Sequence, residues 1–241
     1  MRRAIAILGA ALVCAGCSGK GVDLTSLVTP KTTDRPPADS PAAALRLLEW
    51  SYNNRDTTGV RDLITADYRF VFSPYDSAGA PYATVGWRRA DELASTAHLF
   101  VTGNEGLPPA AWISLTLDKN FYVSPDPDYS ASDPYGYWHK NIRTQAMLHV
   151  QLADGSQVDI VSGISFFLVR SDSAVVPTDF ASHAAPPDTT RWWIRRWVDE
   201  AVGGTGLRHL SDEAERAGHP DLLDAQPSSY FSWGRLKALY R

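Results

Sequence analysis

Cysteine is almost missing from this 241-residue sequence, since its two cysteines, Cys14 and Cys17, both lie close to the amino terminus. The rest of the chain therefore has no thiol for a disulfide or a thiolate metal site. Zinc-ligand spacings such as H-E-x-x-H are also absent, and Gly203 to Gly206 is not followed by the Lys-Ser/Thr of a phosphate-binding loop. We accordingly expect no cofactor.

Basic clusters are missing as well, and acidic residues outnumber basic ones by 27 to 23. Nucleic-acid binding needs basic surface that neutralises phosphate charge, so the composition disfavours a nucleic-acid partner. The apolar run Ala4 to Val13 is too short to span a bilayer as a helix. Hydrophobic residues still make up 44% of the chain, which is enough for a folded core.

The first 16 residues have the pattern of a cleaved export signal, with Arg2 and Arg3 before the short apolar run. Ala15-Gly16-Cys17 then resembles the lipobox of bacterial lipoproteins, in which the cysteine is lipidated and becomes the first residue. Cys14 departs from that motif, which usually has leucine there. An ordinary secretory signal peptide is the alternative interpretation.

The lipoprotein interpretation has consequences for charge and location. Cleavage removes two basic residues and leaves 21 against 27 acidic ones, a net charge of −6. Acyl chains such as palmitate on Cys17, rather than electrostatic attraction, would then hold the protein at the membrane. The expected location is the extracytoplasmic side of the bacterial cell envelope, on the outer membrane where there are two membranes.

After Cys17 the sequence predicts a tether and then a folded domain. Residues 17–40 are rich in Gly, Thr, Pro, Asp and Lys, as flexible linkers are. Ser40-Pro41 predicts a helix start, because serine caps backbone N–H groups and proline fits the first helical position. Apolar spacing predicts helices at 41–53, 59–66, 89–101 and 230–241, and strands at 68–72, 112–123, 142–152, 156–169 and 191–199.

A β-hairpin between 142 and 169 is the clearest of these elements, because its apolar residues alternate with polar ones. A two-residue turn would mix apolar and polar side chains on both faces. A three-residue loop, Ala153-Asp154-Gly155 with Gly155 left-handed, pairs Leu152 with Ser156 and makes one face continuously apolar. We therefore predict the three-residue loop.

Helices that precede long strands indicate an α+β fold, in which a strongly curved antiparallel sheet wraps around the first helix and a helical tail follows. Three stretches carry a family resemblance: residues 44–50 with Tyr52 and Asp56, residues 62–70, and residues 193–199. Their order resembles the nuclear-transport-factor-2-like superfamily (SnoaL-like proteins, with a cystatin-like cone). The resemblance covers residues 41–200, so residues 201–241 form the predicted C-terminal tail.

The resemblance implies that an enzyme of this superfamily would place its acid or base in the mouth of the cone. Tyr52 is the candidate counterpart of a catalytic tyrosine, and Asp67 is a candidate carboxylate. The cone-facing side of the hairpin, however, offers only Thr144 and Ser162 as polar groups. Two hydroxyls cannot supply a general base at neutral pH, so the sequence disfavours catalysis.

Two further sets of polar residues are candidate sites. The hairpin register places His149 opposite Asp159, and a carboxylate beside an imidazole can hold its tautomer for proton transfer. Both lie on the polar face, however, where a simple cross-strand pair on an exposed or dimer-forming surface is the alternative. A second candidate is a calcium site, because three carboxylates lie close together in the sequence at Asp126, Asp128 and Asp133. The glycine and glutamate at the EF-hand spacing are missing, however.

Tryptophan is concentrated in the last strand, where Trp192 is predicted on one face and Trp193 and Trp197 on the other. These rings would form an exposed contact patch unless the C-terminal helix covers them; that helix is predicted either to pack back on the domain or to contact a partner or membrane.

The favoured function is a lipid-anchored binding module for a small hydrophobic ligand or a second copy of the chain. The rival is an isomerase, dehydratase or cyclase.

Overall fold

The computed structural model describes residues 34–82, 84–129, 132, 136–170, 190–200 and 231–241. The predicted leader, the lipidation site Cys17, most of the tether and residues 201–230 of the tail lie outside these residues. Buried apolar side chains from Ala38 to Tyr240 form one cluster, so the end of the chain shares a core with the rest. No helix within the described ranges is long and apolar enough to cross a membrane.

The first helix, α1 (Pro41–Asn54), follows from the predicted cap. The Ser40 hydroxyl accepts a hydrogen bond from the Ala43 amide at 3.1 Å, and Arg55 ends the helix in a left-handed conformation. The apolar spacing that predicted this helix is confirmed, because Leu45, Leu48 and Tyr52 form a buried stripe along it. Helix α2 (Thr57–Arg61) is shorter than predicted, and α3 (Arg89–Ala97) continues into a π-helical turn (His98–Thr102).

Seven strands of the described chain form one curved, unclosed sheet in the order β2-β1-β7-β6-β5-β3, with β4 beside β5. Their bounds are β1 Ile64–Val71, β2 Trp87–Arg88, β3 Ala110–Leu117, β4 Val123–Pro125, β5 His139–Leu152, β6 Gln157–Arg170 and β7 Trp192–Asp199. The predicted α+β class is confirmed. The predicted antiparallel sheet is wrong at one junction, because β7 inserts beside β1 and runs parallel to it.

The predicted hairpin register is confirmed at every pair that decided it. The Leu152 amide donates to the Ser156 carbonyl at 2.8 Å, and Val150 lies opposite Val158. Gly155 has a φ of +92°, the left-handed conformation that the three-residue loop requires. The apolar face of β5 and β6 is therefore continuous and turns towards α1.

The predicted strand at 112–123 is interrupted in the structure, for two reasons. The Asp118 carboxylate accepts hydrogen bonds from the Thr144 hydroxyl at 3.1 Å and the Gln145 amide at 2.8 Å. The Arg46 guanidinium of α1 donates to the backbone carbonyls of Asp118 and Lys119. These contacts divert the chain between β3 and β4, which sequence alternation alone does not reveal.

A β-bulge in β7 makes the predicted face assignment of the tryptophans wrong. Ile194 pairs with Leu168 and Arg196 pairs with Phe167, so Arg195 is an extra residue that reverses the alternation after it. Trp192, Trp193 and Trp197 are all buried, with 8%, 1% and 2% of their surface exposed. The hypothesis of an exposed tryptophan patch is therefore also wrong.

The C-terminal helix, α4 (Trp233–Leu239), packs back on the domain, which confirms one of its two predicted placements. Ser232 caps it, since its hydroxyl accepts from the Arg235 amide at 2.9 Å. Its apolar side chains Trp233, Leu236 and Tyr240 are buried to 2% exposure or less. Contact of the tail with a partner or membrane stays a prediction.

Replacing Gly155 with alanine tests the hairpin register. Gly155 has nothing within 4 Å of an added Cβ, so the change acts only through its positive φ. We expect a loss of about 1–2 kcal/mol in the free energy of unfolding, measured with urea. Gly163→Ala is the matched control, because Gly163 lies in extended backbone with ordinary contacts. Equal losses for both variants would contradict the register.

Candidate functional site

Aromatic rings fill the space between α1 and the concave face of the sheet. The Tyr52 ring of α1 lies 5.7 Å from the ring of Trp233 and 6.4 Å from that of Trp197. Trp197 and Trp233 are themselves 4.9 Å apart, and Phe70 and Phe166 flank Trp197 at 5.8 and 4.9 Å. Helix α4 therefore contributes its own tryptophan to the centre of the interior.

A buried ion pair lies beside these rings. The Lys237 ammonium of α4 contacts the Glu92 carboxylate of α3, and their side chains are only 4% and 1% exposed. The Trp87 indole N–H donates to the other oxygen of Glu92 at 3.0 Å. The ammonium also lies 4.2 Å from the ring centre of Trp197 and 4.9 Å from that of Phe70, within cation–π distance.

A second buried carboxylate, Asp199 at the end of β7, faces the same ammonium. It is 1% exposed, and it accepts hydrogen bonds from the Ser162 hydroxyl at 2.8 Å and the Gly234 amide at 3.3 Å. Its negative charge acts on Lys237 together with that of Glu92. The interior thus holds a cluster of Glu92, Asp199 and Lys237, which we call the interior charge cluster.

Burial controls the proton affinities around the interior charge cluster. Desolvation lowers the pKa of Lys237, and the attraction of Glu92 and then Asp199 opposes that shift. Desolvation raises the pKa of both Tyr52 and Tyr68, and the charge of Glu92 raises each further. Both phenols therefore stay neutral at physiological pH.

The interior contains more polar groups than the two hydroxyls predicted on the cone-facing side of the hairpin. Thr144 and Ser162 are buried as predicted, but α3, β7 and α4 add three ionisable groups to the same core. Hairpin alternation could not reveal them, because they come from outside the hairpin. Glu92 and Lys237 lie in two predicted helices, so the sequence gave only a weak signal of a buried ion pair. The signal becomes informative only when α3 and α4 are known to pack together.

The structure places the two candidates implied by the family resemblance, Tyr52 and Asp67, in different environments. Tyr52 lies in the interior, as the resemblance implied, and its hydroxyl bonds to the Thr96 side chain. Asp67 instead forms an ion pair with Arg195 at 2.7 Å, and 41% of its side chain is exposed. The predicted arrangement of Tyr52 and Asp67 in one mouth is therefore wrong; Glu92 and Asp199 are the buried carboxylates that act on Lys237.

His149 and Asp159 pair across β5 and β6 on the outer face of the sheet, as the register predicted. Their side chains are about one-third exposed, at 33% and 31%. The ring of Trp112, which is 47% exposed, lies 5.2 Å from the imidazole ring. The pair is thus part of a surface and lies away from the interior charge cluster.

The candidate calcium ligands are occupied by other contacts where the structure describes them. Asp128 forms an ion pair with Arg196 at 2.6 Å, and Asp126 accepts a hydrogen bond from the Asp128 amide at 2.9 Å. Asp133 lies outside the described residues. In the described ranges, no three histidine, cysteine or acidic side chains are grouped closely enough to hold a metal ion.

Known structures with this architecture are similar in fold but distant in sequence. An NTF2-like superfamily protein from Salmonella enterica is 13% identical, with 69% of this chain and 92% of that chain covered and a TM-score of 0.40. A domain of unknown function with a cystatin-like fold from Nostoc punctiforme is 13% identical (78% and 94% covered, TM-score 0.38). A hexachlorocyclohexane dehydrochlorinase is 8% identical (69% and 86% covered, TM-score 0.40).

The matching structures thus include NTF2-like and cystatin-like proteins, the class that the sequence resembled. No protein-family model matches the sequence, and no curated protein does either.

A double-mutant cycle tests whether the interior charge cluster is a coupled unit. Glu92→Gln leaves the Lys237 charge buried beside a neutral partner, and Lys237→Met does the same to Glu92. Each single variant should lose about 3–5 kcal/mol in the free energy of unfolding, whereas the double variant should lose clearly less than the sum. Asp128→Asn, which breaks the exposed pair with Arg196, is the control and should cost less than about 1 kcal/mol. Additive losses at Glu92 and Lys237 would contradict the coupling.

Proposed function

We propose that the protein is a lipid-anchored binding module of the bacterial cell envelope that does not catalyse a reaction. The observation that carries this proposal is the position of α4, whose Trp233 and Lys237 side chains occupy the concave side of the sheet. A small molecule bound in a cone of this kind would need the space on the concave side of the sheet. In this protein, side chains of α4 fill that space.

The anchoring to the membrane rests on the sequence alone. The charged start, the short apolar run and Ala15-Gly16-Cys17 together support processing as a lipoprotein. Cleavage would remove Cys14 and leave Cys17 as the only cysteine of the mature sequence, which fits a domain that relies on its core rather than on disulfides.

The outer face of the sheet is the partner surface that we propose, and a second copy of the chain is the partner. Met147 of β5 is 58% exposed and Trp112 of β3 is 47% exposed. They flank the pair of His149 and Asp159. An apolar surface with a polar pair in its centre fits the composition of a protein interface.

One observation favours the rival, an isomerase-, dehydratase- or cyclase-type enzyme. Glu92 and Lys237 meet inside the sheet, where a proton could pass between carboxylate and amine. Aromatic rings and α4 surround them, however, and each neutralises the charge of the other. Catalysis would require α4 to move away, so the binding module remains the better-supported function.

Native mass spectrometry of the purified domain tests the filled interior. We expect the mass of the unliganded chain, as a monomer and a dimer, without a co-purified small molecule. Trp233→Gly should open a cavity beside Tyr52 and Trp197 that binds added indole, and indole should restore part of the lost thermal stability. A stoichiometric ligand in the unaltered protein would contradict the proposal and favour the enzyme.

Metabolic labelling with a palmitate analogue tests the lipid anchor. The unaltered chain, expressed in a bacterium, should incorporate the label and fractionate with membranes. Cys17→Ser should abolish both, whereas Cys14→Ser should leave both unchanged, because only Cys17 is in the position of the acylated residue. Release of an unlabelled protein from unaltered cells would favour the ordinary secretory signal.

A further inference from the structure

One end of the domain is defined by the start of α1. Helix α1 runs antiparallel to β3: near its end, Asn53 accepts a hydrogen bond from the Leu115 amide at 2.6 Å, whereas Arg46 reaches the Lys119 carbonyl at 2.9 Å. The start of α1 therefore lies beside the segment that follows β3. The Trp192 amide at the start of β7 donates to the Ala38 carbonyl at 2.7 Å, which places that strand at the same end.

The same end exposes large apolar and aromatic side chains. Tyr122, which directly follows the Phe121 ring covered by Arg46, is 83% exposed. Val123 of β4 is 39% exposed and pairs with Ile142 of β5. Tyr137, just before β5, is 59% exposed.

Two lysines accompany these side chains. Lys119 is exposed and Lys140 is half-buried opposite Pro125. Neither has a carboxylate partner within the described residues. Tyrosine with an adjacent free lysine is a composition that suits the boundary between acyl chains and lipid headgroups, because the ring is apolar and its hydroxyl and the ammonium stay in water.

The chain that would carry the lipid enters the domain at this end. Sixteen residues separate Cys17 from Asp34, and a chain of that length spans at most about 55 Å. The tether therefore joins the domain at the end that exposes Tyr122 and Tyr137, so an anchored domain can bring this end to the membrane with the least extension of the tether. The opposite end, where β1 ends and Tyr75 is 72% exposed, lies a strand length away from the start of α1.

We propose that the end of the domain with Tyr122, Val123 and Tyr137 is a membrane-contacting surface that inserts into the headgroup layer. The proposal rests on the proposed lipid anchor and adds an orientation to it. The sheet then stands away from the membrane, and its outer face with Trp112 and Met147 remains free for a protein partner.

Fluorescence quenching in anchored protein tests this orientation. In the lipidated chain, one tyrosine at a time is replaced by cysteine, at position 122, 137 or 75. The sulfur of Cys17 is blocked there by its thioether bond to the lipid, so the introduced cysteine is the reactive thiol. Each thiol receives an environment-sensitive dye, and the protein is placed in vesicles of phosphatidylcholine and phosphatidylglycerol with headgroup spin labels. We expect quenching at 122 and 137 to exceed that at 75 by about threefold or more. Equal quenching at the three positions would overturn the proposal.

A second measurement does not depend on lipidation. The chain that begins at Ser18 keeps the whole described core, and its binding to the same vesicles is measured by sedimentation. Tyr122→Ser combined with Tyr137→Ser should lower the bound fraction several-fold, whereas Tyr75→Ser should not change it. No difference between these variants overturns the membrane-contacting surface. A failure of Cys17 to take up lipid overturns the anchor instead, and the labelling experiment detects that separately.

Discussion

The buried ion pair of Lys237 and Glu92 is the interaction on which the interior depends. An ammonium removed from water is costly unless a carboxylate and further polar or aromatic groups compensate it. Glu92, Asp199 and the rings of Trp197 and Phe70 provide that compensation only when α4 lies in one position. The pair therefore favours a single register of the helix, where an apolar side chain would tolerate several.

The backbone of α4 is held as specifically as its side chains. Three backbone carbonyls at its end accept hydrogen bonds from side chains. Ser95 donates to the Lys237 carbonyl, Asn104 to the Leu239 carbonyl and His98 to the Tyr240 carbonyl. Unpaired carbonyls at a helix end are thereby satisfied by α3 and the turn that follows it. Helix α4 and the sheet consequently share one hydrophobic core.

The sequence predicted those features that depend on short-range pattern. The Ser40 cap, the stripe of α1 and the hairpin loop at Gly155 follow from local spacing, and the structure confirms them. The extra residue Arg195 and the break after Leu117 arise from contacts with distant residues, so alternation mispredicted both. The interior charge cluster was missed for the same reason, because residues 92, 199 and 237 meet only after folding.

Hydrogen exchange of the α4 amides tests most directly whether this helix is an integral part of the core. The Leu236 amide bonds to the Ser232 carbonyl, and the Tyr240 amide bonds to that of Leu236. If α4 is integral, both amides exchange only through global unfolding, with the same free energy as the amide of Ile164 in β6. Exchange of the two α4 amides at a much lower free energy than Ile164 would show that the helix opens by itself and would contradict the filled interior.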